Sequence, residues 1–409
     1  MTAGVDRDAA SRRQAPVLVA DVHALGMLAV LRSLGRAGYV THGYSSQPQA
    51  LGLHSRYNRH PVQAPSYDAP EFPDWLHRYL VTHGIRALIP TEALLIALRT
   101  RIEEFRGWLP LLPEPAVVYC CLSKCDVLAS FAGAPDGAAV RRNLPPSVVY
   151  DTGRTPVAAD LELLEAPYWV KSDAAHARGA ARGLVRRADT IDAALHAVVE
   201  AQRSHDRVLV QGHSRARQQA GVNLLVIDGE PVLESMMLSL HDNPHTGGTS
   251  GLRRSWWHDA MRDDALARVR HLGWQGIAML EYKWDPRSDA FEFIEINSRF
   301  WAALHLDLYA GADYPRRLVE YHVEGRSGPP ARGAIGLTSR WTLPTDWGHM
   351  LSKLRDARLT PVERCGAVLS FVALFLHPSV RDDLRFPGDW ELYFRQWRTF
   401  LAESLRRGR

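Results

Sequence analysis

The chain has 409 residues, 46% hydrophobic and 23% charged, with 49 basic against 45 acidic residues and a formal net charge of +4. That length exceeds what one hydrophobic core holds, so two or three domains are expected, and the composition suits a globular protein. No run of Lys or Arg is longer than two and no basic stretch interleaves with aromatics, which argues against nucleic acid as a partner.

Residues 16 to 115 alternate short apolar runs with amphipathic ones: strand Pro16–Ala20, helix Leu25–Gly38, strand Tyr39–Gly43, a helix around Phe72–Gly84 and strand Arg86–Pro90. This βαβ rhythm predicts a parallel sheet. It lacks Gly-x-Gly-x-x-Gly, so no dinucleotide site is implied. His23, at a strand end, could face a substrate, though a capping or surface role is the plainer reading. Cys120, Cys121 and Cys125 are crowded but come with no His-Cys metal pattern, and read as core thiols. With four cysteines in no disulfide framework and no apolar signal core at the start, a reducing cytoplasm is expected.

Only four of the basic residues are lysines: Lys124, Lys171, Lys283 and Lys353. In a chain that otherwise uses arginine, a lysine is a candidate point charge for phosphate oxygens. Lys283 and Lys353 read as surface residues. Lys171 ends the strand-like Ala166–Lys171, where a charge is out of place, ahead of a small-residue loop, Ser172–Gly183, holding Gly179 and Gly183. Arg207–Gly212 reads as a further strand, and Gly221–Val232 as strand, Asp-Gly turn and strand closing a small sheet. His245–Ser255 reads as a turn-rich loop in which Arg253 and Arg254 could grip a carboxylate bidentately or simply be solvated.

The most informative stretch is Gly276–Trp301, two strands joined by a tight turn. Alternation places Phe291, Phe293, Glu295 and Asn297 on one face. A five-residue connection, Pro286–Ala290, would set Glu281 opposite Glu295 and Met279 opposite Asn297. Facing carboxylates ask for a cation, and an oxygen-only set suits Mg²⁺ or Mn²⁺ holding phosphates. An exposed hairpin whose acids face water is the other reading.

Glu281, then Glu295-Ile-Asn-Ser-Arg-Phe-Trp301, resembles the metal-binding end of the ATP-grasp ligases, whose pattern is Glu-x-Asn-Pro-Arg-Phe. Ser298 departs from the proline. Ala310–Pro315 is similar to the segment that follows in the carbamoyl-phosphate-synthase-like branch. The resemblance implies that Glu281, Glu295 and Asn297 hold Mg²⁺ (or Mn²⁺) on ATP, and that Arg299 clamps the transferred phosphoryl group, with Arg253 or Arg254 over the reacting carboxylate. It further implies that Lys124 and Lys171 reach the phosphates and that Val210 and Gln211 recognise adenine. Gln219, or Gln218, would stand in for the family's ribose-binding acid.

The implied fold is α/β and α+β: an ATP-grasp fold over 116–327 with a lid at about 165–235, preceded by a parallel α/β domain over 16–115. A helical C-terminal extension, 328–409, follows with helices at 348–358, 361–376 and 389–406, packing on the core or on a partner; a membrane-surface role is the weaker reading, because Asp and Glu interrupt its basic face, and a homodimer is a separate expectation for the chain. Its longest apolar run, Cys365–Leu376, is too short to span a bilayer. The implied activity is ADP-forming ligation of a small-molecule carboxylate, such as an amino acid, to an amine. The alternatives are a bicarbonate-using carboxylase or carbamoyl-phosphate-type enzyme, a kinase, and a nucleotide-binding regulatory protein with a decayed site.

Overall fold

The structure is a computed structural model, and it describes residues 15–178, 183–214, 216 and 218–407. Near-continuous apolar runs make the first sheet: β1 (Pro16–Val19), β2 (Val40–Ser45), β3 (His60–Gln63) and β4 (Ala87–Ile89) lie in the order β3-β2-β1-β4, all parallel. Strands covered on both faces need no polar alternation, which is why β1 and β4 read clearly. The edge strand β3 was not anticipated. Pro61 interrupts its pattern, and an edge is where a strand tolerates proline.

The helix Leu25–Ala37 buries ten residues in succession and stops at Gly38, whose φ of 96° and returned N–H bonds form a left-handed cap. A Cβ on Gly26 would lie 2.5 Å from the Trp301 carbonyl oxygen. The helix backbone therefore touches the chain just beyond the acidic hairpin. One core joins Val19, Met27 and Val30 to Leu225, Met279 and Trp301, so the parallel sheet with its helix and the following large sheet share their packing.

The large sheet contains β9 (Gln218–Ile227), β10 (Glu230–Asn243), β11 (Thr249–Trp256), β12 (Gly276–Trp284), β13 (Phe291–Asn297), β14 (Ala331–Arg332), β15 (Thr338–Arg340) and β16 (Val380–Asp382). Its order is β13-β12-β9-β10-β11-β15-β16, with β14 paired to β10. One face packs Leu224, Leu280 and Phe293 beneath the helix Asp259–His271, and the other packs Leu225, Met237 and Met279 toward the helix Leu25–Ala37 and the parallel sheet.

A separate antiparallel sheet, order β5-β8-β6-β7, contains β5 (Ser147–Asp151), β6 (Tyr168–Ser172), β7 (Leu184–Ala188) and β8 (Arg207–Gln211), backed by the helix Ile191–Gln202. Three expectations are corrected. The Asp228-Gly229 turn exists, with both residues at positive φ, but β9 and β10 belong to the large sheet, so the small sheet spans 147–211. Residues 249–255 of the expected loop belong to strand β11, whose Gly251 lets the Asp346 backbone approach closely. The C-terminal extension has the expected helices, Trp347–Arg355, Pro361–Leu376 and Glu391–Arg407, yet it also adds β15 and β16 to the sheet. Three-residue strands carry too little alternation to read. Gly179 lies outside the described residues. Among those residues no single helix is long and apolar enough to cross a membrane.

Candidate active site

The register of the acidic hairpin is the expected one: Glu281 faces Glu295 and Met279 faces Asn297. The route to it differs. Trp284 pairs with Phe291 and Tyr282 with Phe293, so the connection is 285–290 and a bulge at Ile294 restores the pairing of the acids. The bulge also corrects the expected face. Phe293 turns into the core, its ring 5.4 Å from that of Phe131 and beneath the Arg268 guanidinium, while Glu295 and Asn297 turn to the opposite side with Glu281. Bulges beside functional sites often re-aim side chains in this way.

On that opposite face Asn297 Nδ2 donates to Glu281 Oε1 at 3.0 Å and to Glu295 Oε1 at 3.2 Å. Gln219 Nε2 donates to Glu281 Oε2 at 2.8 Å. Lys124 Nζ lies 3.1 Å from Glu295 Oε2 and 3.3 Å from Asp173 Oδ1. Burial, then the facing Glu295 charge, pushes the Glu281 carboxyl up to about 7. Burial also opposes the charge on Glu295, but Lys124 and Lys171 outweigh it and hold that carboxyl below its ordinary value. For Lys124, burial is likewise outweighed, by Glu295 and Asp173, which raise its pKa. Lys171 is the reverse: burial wins over the attraction of Glu295 and brings the ammonium down to about 8.

Each lysine is positioned by its element. Lys124 opens the helix Lys124–Ala132, whose N-cap Ser123 accepts from the Asp126 N–H, and its own backbone N–H donates to Asp173 Oδ2 at 2.7 Å. Lys171 points from β6 and donates to Gln211 Oε1 on β8. Gln211 Nε2 is buried with no hydrogen-bond partner, a donor aimed at nothing in the protein. Gly212 follows because a Cβ there would crowd the backbone at Glu165, at 3.2 Å.

Several expected site residues lie elsewhere. Val210 is inside β8, paired on both sides, with its side chain in the core of the small sheet. Gln219 is bound to Glu281, so it steadies an acid where a ribose contact was expected. Arg253 is fully buried in an ion pair with Asp383. Arg254 pairs with Leu238, a core residue of the sheet face that meets the helix Asp259–His271, and so sits on the face away from the acids. Alternation along β11 forbids both arginines from sharing one face. Arg299 stays near the acids: its Nε is 3.9 Å from Glu92 Oε2 and its Nη1 donates to the Phe300 carbonyl at 3.1 Å.

Two site residues were missed. Asp173 closes the ring of charges around Lys124. Glu92 lines one cavity with Ser123, Lys124, Glu295, Asn297 and Ser298, and burial raises its pKa against the pull of Arg299. The signal for Glu92 was its position just past β4, since ligands of parallel sheets gather beyond the carboxyl ends of strands.

The donor set fits a hard divalent cation. It is two facing carboxylates and an amide that a half-turn would convert from Nδ2 to Oδ1. Among the described residues no group of three His, Cys, Asp or Glu could hold a metal ion, so an ion here needs further oxygens from a bound anion. The two lysines and the unpartnered Gln211 amide supply positive charge and a donor for such an anion.

No family model and no curated protein matches the sequence. Solved structures do. An L-amino acid ligase from Bacillus licheniformis matches at 16% identity and a TM-score of 0.54, over 77% of this chain and 77% of that one. A biotin carboxylase from Campylobacter jejuni, as a β-γ-ATP complex, matches at 12% identity and 0.61, over 80% and 74%. An N5-carboxyaminoimidazole synthetase from Staphylococcus aureus, complexed with ADP, matches at 11% identity and 0.59, over 79% and 80%. The fold is that of the ATP-grasp ligases.

Proposed function

We propose that this ATP-grasp-fold chain is an ATP-dependent, ADP-forming ligase that activates a carboxylate as an acyl phosphate and joins it to an amine. The observation that carries the reading is the convergence, on one sheet face, of Glu281, Glu295 and Asn297 with Lys124 and Lys171, from separate parts of the sequence. Support for ATP and Mg²⁺ as the cofactors comes from the donor set and from the ATP and ADP complexes among the similar structures. A Mg²⁺ or Mn²⁺ ion held by Glu281, Glu295 and Asn297 would screen phosphate charge and polarise the bond that breaks.

The protein's own work is electrostatic. Lys171 and Lys124 bind phosphate oxygens as point charges, and Arg299 stabilises charge on the transferring group. A carboxylate oxygen attacks the terminal phosphorus and ADP leaves; the amine nitrogen then attacks the acyl carbon, phosphate leaves, and the nitrogen loses its proton to water. Gln219 keeps Glu281 oriented throughout.

Pooled carboxylic acids, amino acids and amines test this directly. ADP release that depends on both an acid and an amine, with hydroxylamine trapping a hydroxamate, is the expected result; AMP and pyrophosphate as products would overturn it. The biotin carboxylase among the similar structures, and a biotin carboxylase domain seen with bicarbonate, favour one other reading, in which bicarbonate is the acid. ADP release dependent on bicarbonate, without hydroxamate, would select it.

A further inference from the structure

The helix Pro361–Leu376 carries two apolar stripes, and the protein uses only one. Arg364, Ala367, Phe371 and Leu374 turn inward: Phe371 is buried against Trp347 and Arg340, and Arg364 donates to the Asp356 carbonyl. The outward stripe is Val362, Cys365, Leu369, Val372 and Leu376, all exposed, with Val362 at 81%, Leu369 at 70% and Leu376 at 82%. Its spacing is 3, 4, 3, 4, the seam of a coiled coil. A surface helix normally shows charge on that side. Here no Lys, Arg, Asp or Glu occurs from Cys365 to Val380.

We propose that this stripe is the interface through which two copies of the chain pair, helix against helix and antiparallel about a two-fold axis at Leu369. The seam is its own complement. With Leu369 on the axis, Val362 of one copy meets Leu376 of the other, and Cys365 and Val372 meet Ala373 and Gly366. Those two positions are small, and a Cβ at Gly366 would meet nothing within 4 Å, so the backbones can approach closely. An isologous pairing of this kind closes at two copies. The stripe spans about 21 Å at 1.5 Å per residue.

The area fits a dimer. The exposed parts of Val362, Val368, Leu369, Val372, Phe375 and Leu376 come to roughly 600 Å² per copy, against the ~800 Å² per partner of a stable interface. The last helix adjoins through Phe375 and Trp397, ring centroids 6.3 Å apart, and exposes Phe394. On the helix Pro361–Leu376 a lipid surface is the poorer fit, because membrane-surface helices carry basic residues beside the apolar face and here Arg364 is turned inward; the exposed Arg395 and Arg398 belong to the last helix, beside Phe394.

Sedimentation of the full chain, with a charge swap at the axis, tests the pairing. At micromolar concentration the wild type should run at twice the 45.8 kDa chain mass. Leu369→Lys and Leu369→Glu should each run at the chain mass, with dissociation at least ~100-fold easier because like charges meet on the axis. Both should keep the wild-type far-UV circular dichroism, since Leu369 is exposed in the single chain, and should melt below the wild type only by the concentration-dependent stabilisation that pairing adds. Mixing the two variants should restore the dimer. A wild type at the chain mass, dimers that persist in either variant, or a mixture that stays unpaired would overturn the proposal. So would wild-type binding to phosphatidylglycerol vesicles as single chains.

Discussion

Replacing Lys171 by Met separates a functional charge from a structural one, because the two roles predict opposite signs. Burial lowers the ammonium from 10.5 to about 8, so the folded state holds this charge at a loss. At 1.36 kcal/mol per pKa unit the loss approaches about 3 kcal/mol at neutral pH, and the partial exposure of the side chain reduces it to about 1–2. The variant should therefore melt at a temperature equal to or above the wild type. Lysine with a lowered folded pKa is penalised below that value, and the penalty disappears as pH rises toward the unfolded value. The gap should consequently close between pH 8 and 10.5. Nucleotide binding should move the other way: a charge-assisted bond from ammonium to phosphate contributes about 1.5–3 kcal/mol, so titration calorimetry with ADP and Mg²⁺ should show roughly 10- to 150-fold weaker binding. Unchanged affinity, or a loss of stability of the size seen for a core substitution, would refute the assignment.

Glu295→Gln keeps shape and removes one of the facing charges; turnover should fall by at least the ~100-fold that losing even an outer partner of a metal ligand can produce, with melting little changed. A wild-type rate would remove Glu295 from the metal set. Arg253→Met leaves Asp383 buried without its partner, so chemical denaturation should show a loss of about 3–5 kcal/mol, whereas exposed Arg254→Met should stay within about 0.5 kcal/mol. Equal effects of the two changes would contradict their placement on opposite faces of β11.

The sequence by itself determined the local features that rest on short-range chemistry. Continuous apolar runs marked β1 and β4, period-3.6 patterns marked the three C-terminal helices, and the Asp228-Gly229 pair marked its turn. The spacing of Glu281, Glu295 and Asn297 was enough to bring them together, because a hairpin couples register to sequence distance. Even there the register rested on a five-residue turn and no bulge, and the structure reaches the same pairing with a six-residue connection and a bulge at Ile294. No periodicity shows a bulge, since it breaks the period. Tertiary structure alone decided which sheet β9 and β10 join, that Arg253 is buried against Asp383 across 130 residues, and that Glu92 and Asp173 meet Lys124. Those contacts depend on how separate elements stack, and a side chain's local pattern carries its face at most, never the identity of what lies opposite.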